Sequence, residues 1–197
     1  MNFQQEQDKI IEGLNYKPTL LLHSCCGPCS SYCIEALAQH FVITVLWHNP
    51  NIQPESEYLL RLENQKKLID NLKTPEKVQL IECSYDVNEF FNAAKGLESE
   101  KEGGKRCTEC FNIRLETAAK IAKEQNFDFF TTTLTVSPHK NAPLINEIGF
   151  NMAKKYGVKF LPCDFKKKNG YKRSIELSKQ FGLYRQNYCG CVYSINE

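Results

Sequence analysis

The sequence lacks several features that would place the protein in a membrane or outside the cell. No apolar run approaches the roughly 18 residues needed to cross a bilayer, so we expect no membrane partner. The first residues, 1–6, have no basic region followed by an apolar core, and we therefore expect no secretory signal. The formal net charge is only +2, which does not indicate a nucleic-acid-binding protein, although it permits a local basic patch.

Glycine is scarce where a nucleotide-binding loop would need it. An apolar run at 19–22 is followed by the residues His-Ser-Cys-Cys-Gly-Pro-Cys-Ser at 23–30 and then by a predicted helix. In many α/β proteins this position carries a glycine-rich loop that holds phosphate at the helix N-terminus. Thiols replace most of those glycines here, and a thiolate at a helix N-terminus is suited to metal ligation or redox chemistry.

Cysteine is the residue type that the sequence has in quantity. Ten cysteines in 197 residues are about 5%, below the roughly 8–10% of a short disulfide scaffold. Without a secretory signal we expect a cytoplasmic protein with reduced thiols. Clustered cysteines then indicate metal binding or catalysis before structural disulfides.

The hydrophobic pattern predicts an α/β fold within a single domain. Apolar strands alternate with helices, which favours a parallel sheet of about five strands flanked by helices. The predicted strands are Thr19–His23, Phe41–Trp47, Val78–Cys83, Phe129–Leu134 and Val158–Cys163. We expect one catalytic domain, 1–197, with an α/β core at 16–165. Residues 166–197 would add a basic loop, a short helix near Ser174–Gln180 and a Cys-Gly-Cys tail, and segment 96–105 would be a mobile connection.

The unusual side chains follow the predicted strands. Ligands of open α/β sheets bind beyond the carboxyl ends of the strands. That rule collects at one edge the chain positions of Cys25, His48, Cys83, His139 and Cys163. We expect Cys33, Cys83 and Cys163 to be core residues, as small buried cysteines often are.

Two cysteine pairs have the same spacing. Cys107 and Cys110 open a predicted helix, where three residues bring both sulfurs to one side. Cys26 and Cys29 repeat that spacing. Two such pairs would complete a tetrahedral zinc site, and they would equally serve an iron–sulfur site. The spacing alone gives both metals the same weight.

The remaining cysteines suggest more than one small ion. Cys25 adjoins Cys26, and neighbouring side chains generally diverge, so we expect these thiols to serve two nearby acceptors unless one is a spare buried residue. Cys189 and Cys191 flank a single glycine. As a pair they could ligate metal or form a redox-active disulfide.

A basic run at 166–173 follows the fifth predicted strand. Such runs are usually solvated loops, but the interleaved glycine and tyrosine make phosphate or RNA contact reasonable. Lysines would position a backbone, while the tyrosine could stack on a base. The candidate RNA-binding residues are Lys167, Lys168, Tyr171, Lys172 and Arg173.

Taken together, these motifs resemble the QueH-type epoxyqueuosine reductases over almost the whole chain. The matching stretches are Leu-Leu-His-Ser-Cys-Cys-Gly-Pro-Cys-Ser at 21–30, Asn-Pro-Asn-Ile at 49–52 with Glu-Tyr at 57–58, Ala-Lys-Gly at 94–96, Arg-Cys-Thr-Glu-Cys-Phe at 106–111 with Arg-Leu-Glu at 114–116, Ser-Pro-His-Lys-Asn at 137–141 and Gln-Asn-Tyr-Cys-Gly-Cys-Val-Tyr-Ser at 186–194. Family members commonly carry alanine at the position of Gly27, and some carry aspartate at that of Cys29.

The resemblance implies a Rossmann-like HUP-type fold and a cobalamin-independent reduction of epoxyqueuosine to queuosine in tRNA, the last step of queuosine biosynthesis. It implies a [4Fe–4S] cluster and an adjacent mononuclear iron, with the modified nucleotide in the anticodon loop and an unidentified electron donor. On this basis Cys25, Cys29, Cys107 and Cys110 are the expected cluster ligands, and Cys26 is expected at the second iron. We expect Cys26, Cys189 and Cys191 to be the catalytic residues, the last two closer to a redox or substrate-proximal role than to ligation.

Two other functions remain compatible with the residues. A tRNA sulfur-transfer enzyme could share this architecture, but it needs a nucleotide-activating glycine-serine loop that the chain does not offer after its first strand. A zinc-stabilised RNA-binding module without catalysis would use the same thiols.

Overall fold

The computed structural model describes residues 2–195 and contains a five-stranded sheet. Its strands are β1 (Thr19–His23), β2 (Val42–Trp47), β3 (Gln79–Glu82), β4 (Phe129–Thr132) and β5 (Lys159–Phe160). All pairings are parallel, and the order is β3-β2-β1-β4-β5. This order reverses next to β1, so the carboxyl end of that strand is where a ligand site is expected.

Helices flank the sheet and bury its apolar side chains. They are α1 (Phe3–Glu12), α2 (Gly27–Leu37), α3 (Glu55–Asn71), α4 (Val87–Ala94), α5 (Lys105–Glu124), α6 (Ala142–Tyr156) and α7 (Gly170–Gln180), with short 3₁₀ helices at Thr133–Val136 and Val192–Ser194. Helix α2 packs against α3 and α7, and α5 packs against α4 and α6. Leu20, Leu21 and Leu22 of the central strand are fully buried, as expected for a sheet covered on both faces.

The predicted single-domain α/β fold with five parallel strands is confirmed. Among the described residues, no helix is long and apolar enough to cross a membrane. Met1, Asn196 and Glu197, which the expected domain includes, lie outside the described residues.

The last two strands are shorter than predicted. Strand β4 ends at Thr132 because its side chain accepts the N–H of Leu134 and starts a 3₁₀ helix. Strand β5 ends at Phe160, before Pro162, which has no N–H for a ladder. The N–H of Cys163 donates to the side chain of Asn146 at 2.9 Å, so the chain leaves the sheet there.

Two connections differ from their expected form. Segment 96–105, expected to be mobile, is tethered by the buried guanidinium of Arg106, whose Nη1 donates to the carbonyls of Leu97, Glu98 and Glu100. The basic run is only partly a loop, since α7 begins at Gly170.

Gly27 lets α2 approach α3 closely. A Cβ built at this position would lie 2.9 Å from the carbonyl oxygen of Asn64. A glycine at this position therefore permits the close packing of α2 against α3.

Candidate metal centre

Three thiols converge where the loop that leaves β1 enters the first turn of α2. Cys26 is the N-cap of α2, and its Sγ accepts the backbone N–H of Cys29 at 3.4 Å. The Sγ atoms of Cys25 and Cys26 are 3.8 Å apart. Within residues 2–195, Cys25, Cys26 and Cys29 are the one set of three potential ligands whose atoms all lie within 4.8 Å of one another. We call it the three-thiol group.

The expectation that adjacent Cys25 and Cys26 diverge was wrong. Cys26 has extended backbone, and its side chain turns back over the first turn of α2. The backbone N–H of Cys25 donates to Thr133 Oγ1 at 3.3 Å, and the Thr133 hydroxyl faces Cys25 Sγ at 3.5 Å. The helix cap and the threonine together turn both thiols to one side. Since a thiolate binds zinc at about 2.3 Å, sulfurs this close can share one ion.

The three-thiol group has one preferred thiolate. Hydrogen bonds from the thiols of Cys26 and Cys29 hold the pKa of Cys25 well below its usual range. Through the same contact with Cys25, the pKa of Cys26 is raised to about 12, and that of Cys29 is raised as well. A metal ion bound here would therefore displace protons from two of the three sulfurs.

A second set of thiols surrounds a smaller cavity of about 60 Å³. Cys107 and Cys110 enter it from the start of α5, as their spacing predicted, and Cys189 and Cys191 enter it from the C-terminal tail. We call these residues the four-thiol group. Burial raises the pKa of Cys110 to about 12, although the nearby Arg114 guanidinium opposes that effect. The structure thus brings the tail cysteines to Cys107 and Cys110.

The two thiol groups meet at a larger cavity of about 420 Å³. Cys25 and Cys29 line it from one side, and Cys189 lines both this cavity and the smaller one. Arg114 and Lys140 also line both cavities. Burial is the largest influence on the pKa of Lys140 and lowers it, but the nearby cysteine sulfurs together outweigh burial and raise this pKa above its usual value. Two cationic side chains, those of Arg114 and Lys140, therefore lie among the sulfurs of the site.

Several buried polar atoms that border the large cavity have no hydrogen-bond partner in the described part of the chain. They are Nη2 of Arg114, Oδ1 of Asn49, Oδ1 of Asn51 and Oε1 of Gln186. Buried polar groups are normally satisfied, so this set offers one donor and three acceptors to a bound molecule.

His23 belongs to the core beneath the site. Its Nε2 lies 3.2 Å from the carbonyl of His48, so this nitrogen carries the hydrogen, and Nδ1 accepts from the hydroxyl of Thr132 at 2.9 Å. Burial, with Arg114 as the next influence, lowers the pKa of His23 to about 3. The ring stays neutral and positions the end of β1. His139, by contrast, lines both cavities.

The candidate RNA-binding residues fall into three kinds: one lines the large cavity, two are held in ion pairs, and two are exposed away from the cavity. Tyr171 stands at the large cavity, where Arg185 lies 5.9 Å above its ring. Lys168 instead pairs with Asp8 at 2.7 Å. Arg173 donates to both carboxylate oxygens of Glu35, at 2.9 and 2.7 Å, so its guanidinium is engaged within the fold. Lys167 and Lys172 are exposed and do not line the cavity.

The remaining expected core cysteines behave as such. Cys33 and Cys163 are fully buried, and Cys83 is partly buried against the core. The residues that sequence reasoning missed line the large cavity between the thiol groups: Arg61, Arg114, Lys140 and Gln186. Arg114, Lys140 and Gln186 lie within the matching stretches, but only their position beside cysteine motifs pointed to a role.

Comparisons with known proteins give one family name over almost the whole chain. The family model described as "Epoxyqueuosine reductase QueH" matches residues 20–197. A protein of that name from Staphylococcus epidermidis is 47% identical over 98% of this chain and 84% of its own length. One from Streptococcus pyogenes is 45% identical over 96% of this chain and 75% of its own. A relative of the same name from Thermotoga maritima is 39% identical over 91% of each.

Proposed function

The chain belongs to the epoxyqueuosine reductase QueH family, and we propose that it reduces the epoxide of epoxyqueuosine in tRNA within the cavity between its two thiol groups. The main observation that supports this location of the active site is that Cys25, Cys29 and Cys189 line one cavity of about 420 Å³. That volume falls within the roughly 300–1,000 Å³ of small-ligand pockets. An extruded nucleoside therefore has space beside the sulfurs.

The thiol arrangement fits two metal centres, with a division different from the one expected from the sequence. We assign the single iron to Cys25, Cys26 and Cys29, because their sulfurs lie close enough to share one ion. We assign the [4Fe–4S] cluster to Cys107, Cys110, Cys189 and Cys191, because a cluster takes four thiolates and these four surround one cavity. Soft thiolate donors suit both iron–sulfur clusters and zinc, so metal analysis must decide between them.

The reaction breaks both C–O bonds of the epoxide and forms an alkene, with the oxygen leaving as water. It consumes two electrons and two protons, and the electrons must be renewed by an external donor at each turnover. When bound, the cluster supplies electron transfer, and the neighbouring iron supplies a Lewis acid near the oxygen.

The chain's own residues bind and orient the substrate. Tyr171 and Arg185 at the mouth offer a ring and a guanidinium to a base and its phosphate. Arg114 and Lys140 hold positive charge inside the cavity, where the oxygen gains negative charge as its bonds break. The tail residues Gln186 and Tyr188 complete the lining of the cavity on the side of the C-terminal tail.

The test is anaerobic purification followed by metal analysis and a turnover assay. We expect about five iron and about four sulfide per chain, and conversion of epoxyqueuosine to queuosine in tRNA with a strong reductant, measured by mass spectrometry of the nucleosides. A colourless protein that holds only zinc and leaves epoxyqueuosine intact would support the RNA-binding alternative. ATP-dependent thiolation of tRNA would support sulfur transfer.

A further inference from the structure

The cysteines of the tail lie on a segment without regular structure, yet their backbone is held in one place. Residues 184–191 lie outside helices and strands, and the segment follows α7. The contacts that hold its carbonyls come from α3 and from the turn that precedes α3. Gln53 donates its backbone N–H to the carbonyl of Gly190 at 2.8 Å, and its Oε1 accepts from the N–H of Val192 at 3.1 Å.

Arg61 of α3 makes the charged contact with this segment. Its Nη1 donates to the carbonyl of Cys189 at 3.0 Å and its Nη2 to that of Tyr188 at 3.2 Å, while its Nε binds Glu57 at 2.7 Å. The guanidinium also lies 5.1 Å from the centre of the Tyr188 ring. The side chain is only 1% exposed, so these bonds form away from water, where charge-assisted bonds are strong.

Gly190 shows how closely the tail fits around this arginine. Its φ of +130° favours glycine, and a Cβ there would lie 3.1 Å from both Arg61 Nη1 and Ile52 Cγ1. The glycine between the two cysteines therefore permits the close approach of backbone to guanidinium. The bend it allows sends Cys189 and Cys191 into the same cavity as Cys107 and Cys110.

We propose that Arg61 is a positioning residue that anchors the Cys189–Cys191 backbone and so completes the four-thiol group. The inference rests on the proposed function in one respect, that this group holds the cluster. Arg61 does not contact the cluster's cavity itself; it acts through the carbonyls of Tyr188 and Cys189. Replacing it with glutamine would leave these carbonyls without their donors and Glu57 without its cation.

The first test needs no metal. In the metal-free, reduced protein, the alkylation rate of each cysteine by iodoacetamide is followed by mass spectrometry. Cys191 is 7% exposed and Cys33 is fully buried in the sheet core, so Cys33 reports global unfolding. In Arg61→Gln we expect alkylation of Cys191 to accelerate at least about tenfold while Cys33 keeps its wild-type rate. Wild-type rates at both cysteines would overturn the proposal.

A matched control separates the anchor from a general effect of removing a cation from α3. Lys67 lies on the same helix and donates to the carbonyl of Gly182 at 2.7 Å, before the cysteine segment. Lys67→Gln is expected to leave Cys191 protected. Equal acceleration in Lys67→Gln and Arg61→Gln would refute an anchor specific to Arg61.

If Arg61→Gln exposes Cys33 as well, Arg61→Lys decides the matter. Lysine keeps the charge beside Glu57 but cannot hold two carbonyls in the fork geometry of arginine. Faster alkylation of Cys191 alone in this variant supports the proposal. Acceleration of Cys191 and Cys33 together, or of neither, overturns it.

Metal loading provides the second readout. After anaerobic reconstitution with iron and sulfide, we expect Arg61→Gln to hold less than half of the wild-type sulfide and to keep iron at the three-thiol group. Wild-type sulfide in Arg61→Gln would contradict the proposal. A wild-type protein without sulfide would contradict the cofactor assignment instead, while the alkylation rates would still judge the anchor.

Discussion

Gln186 and Cys26 are in direct contact although 160 positions separate them in the chain: Nε2 of Gln186 donates to Sγ of Cys26 at 3.1 Å. The same tail that carries Cys189 and Cys191 to the four-thiol group therefore also touches the three-thiol group. One segment of about six residues contacts both proposed metal centres. Changes in the tail should affect each centre through a different residue.

Gln186→Leu should weaken metal binding at the three-thiol group. The amide hydrogen bond favours the thiolate of Cys26, and loss of such an outer contact commonly costs about 10–100-fold in metal affinity. Titration with Co²⁺, followed by thiolate charge-transfer absorbance, would measure the affinity. Gln180→Leu is a control at the exposed end of α7 and should bind Co²⁺ as wild type does. Equal affinity in both variants would exclude a role for the Gln186 contact.

Cys107→Ser and Cys110→Ser should each lose the sulfide-containing cluster but keep about one iron, because a hydroxyl is a poor replacement for a cluster thiolate. Iron and sulfide analysis after anaerobic purification measures both. Cys33→Ser should keep both metals and turnover, since that residue packs in the core. Full sulfide in Cys107→Ser or Cys110→Ser would remove that residue from the ligand set.

Cys189→Ser and Cys191→Ser distinguish ligation from redox chemistry. As cluster ligands they should lose sulfide while keeping the single iron at the three-thiol group. As a redox pair they should keep both metals and lose turnover, which was the role expected from the sequence. The grouping of these thiols with Cys107 and Cys110 favours the first result. Wild-type metals with wild-type turnover in both variants would leave the tail cysteines purely structural.

The free energy of unfolding of the metal-free protein should fall as the pH is lowered below about 6.5. The pKa of His23 is about 3 when folded and 6.5 when exposed, so between these values the unfolded chain binds a proton that the folded chain does not. The contribution of His23 approaches about 1.4 kcal/mol per pH unit within that window. The free energy of unfolding, measured with urea at several pH values from 8 to 5, should depend less steeply on pH in His23→Gln than in the wild-type protein. Parallel slopes for the two proteins would contradict the assignment.

Lys167 and Tyr171 should contribute to tRNA binding in different ways. In the described part of the chain Lys167 has no ion-pair partner, so Lys167→Ala should weaken binding and reduce the salt slope by roughly 0.7–0.9 if it meets one phosphate. Tyr171→Ala should weaken binding by about 1–3 kcal/mol with an unchanged salt slope, because base stacking releases no counterions. Fluorescence anisotropy at several salt concentrations measures both.

Arg173→Ala is the comparison for that experiment. The guanidinium of Arg173 binds Glu35 and is not free to meet a phosphate. Arg173→Ala should therefore lower the free energy of unfolding but leave the salt slope of tRNA binding unchanged. A slope change as large as that of Lys167→Ala would show that Arg173 leaves Glu35 to meet a phosphate. Unchanged binding and slope in Lys167→Ala would make the basic run a solvated surface.

The α/β class, the order of the strands along the chain and the sheet edge that carries the thiols could all be predicted from the amino-acid sequence. Apolar runs and helix periodicity are local properties, and the carboxyl ends of parallel strands must meet at one edge. The thiol loop after β1 and the helix that contains Cys107 could be predicted for the same reason. Each depends on residues close together in the chain.

Which cysteines share a cavity depends instead on contacts between distant parts of the chain. The tail's position depends on Arg61 and Gln53, more than 120 positions away from Cys189, and spacing along the chain carries no information about such contacts. For Cys25 and Cys26 the sequence predicted that neighbouring side chains would diverge. The helix cap and Thr133 instead turn the two thiols to the same side. The engagement of Arg173 with Glu35 likewise follows from the packing of α7 on α2, which brings a basic residue and an acidic residue 138 positions apart into one ion pair.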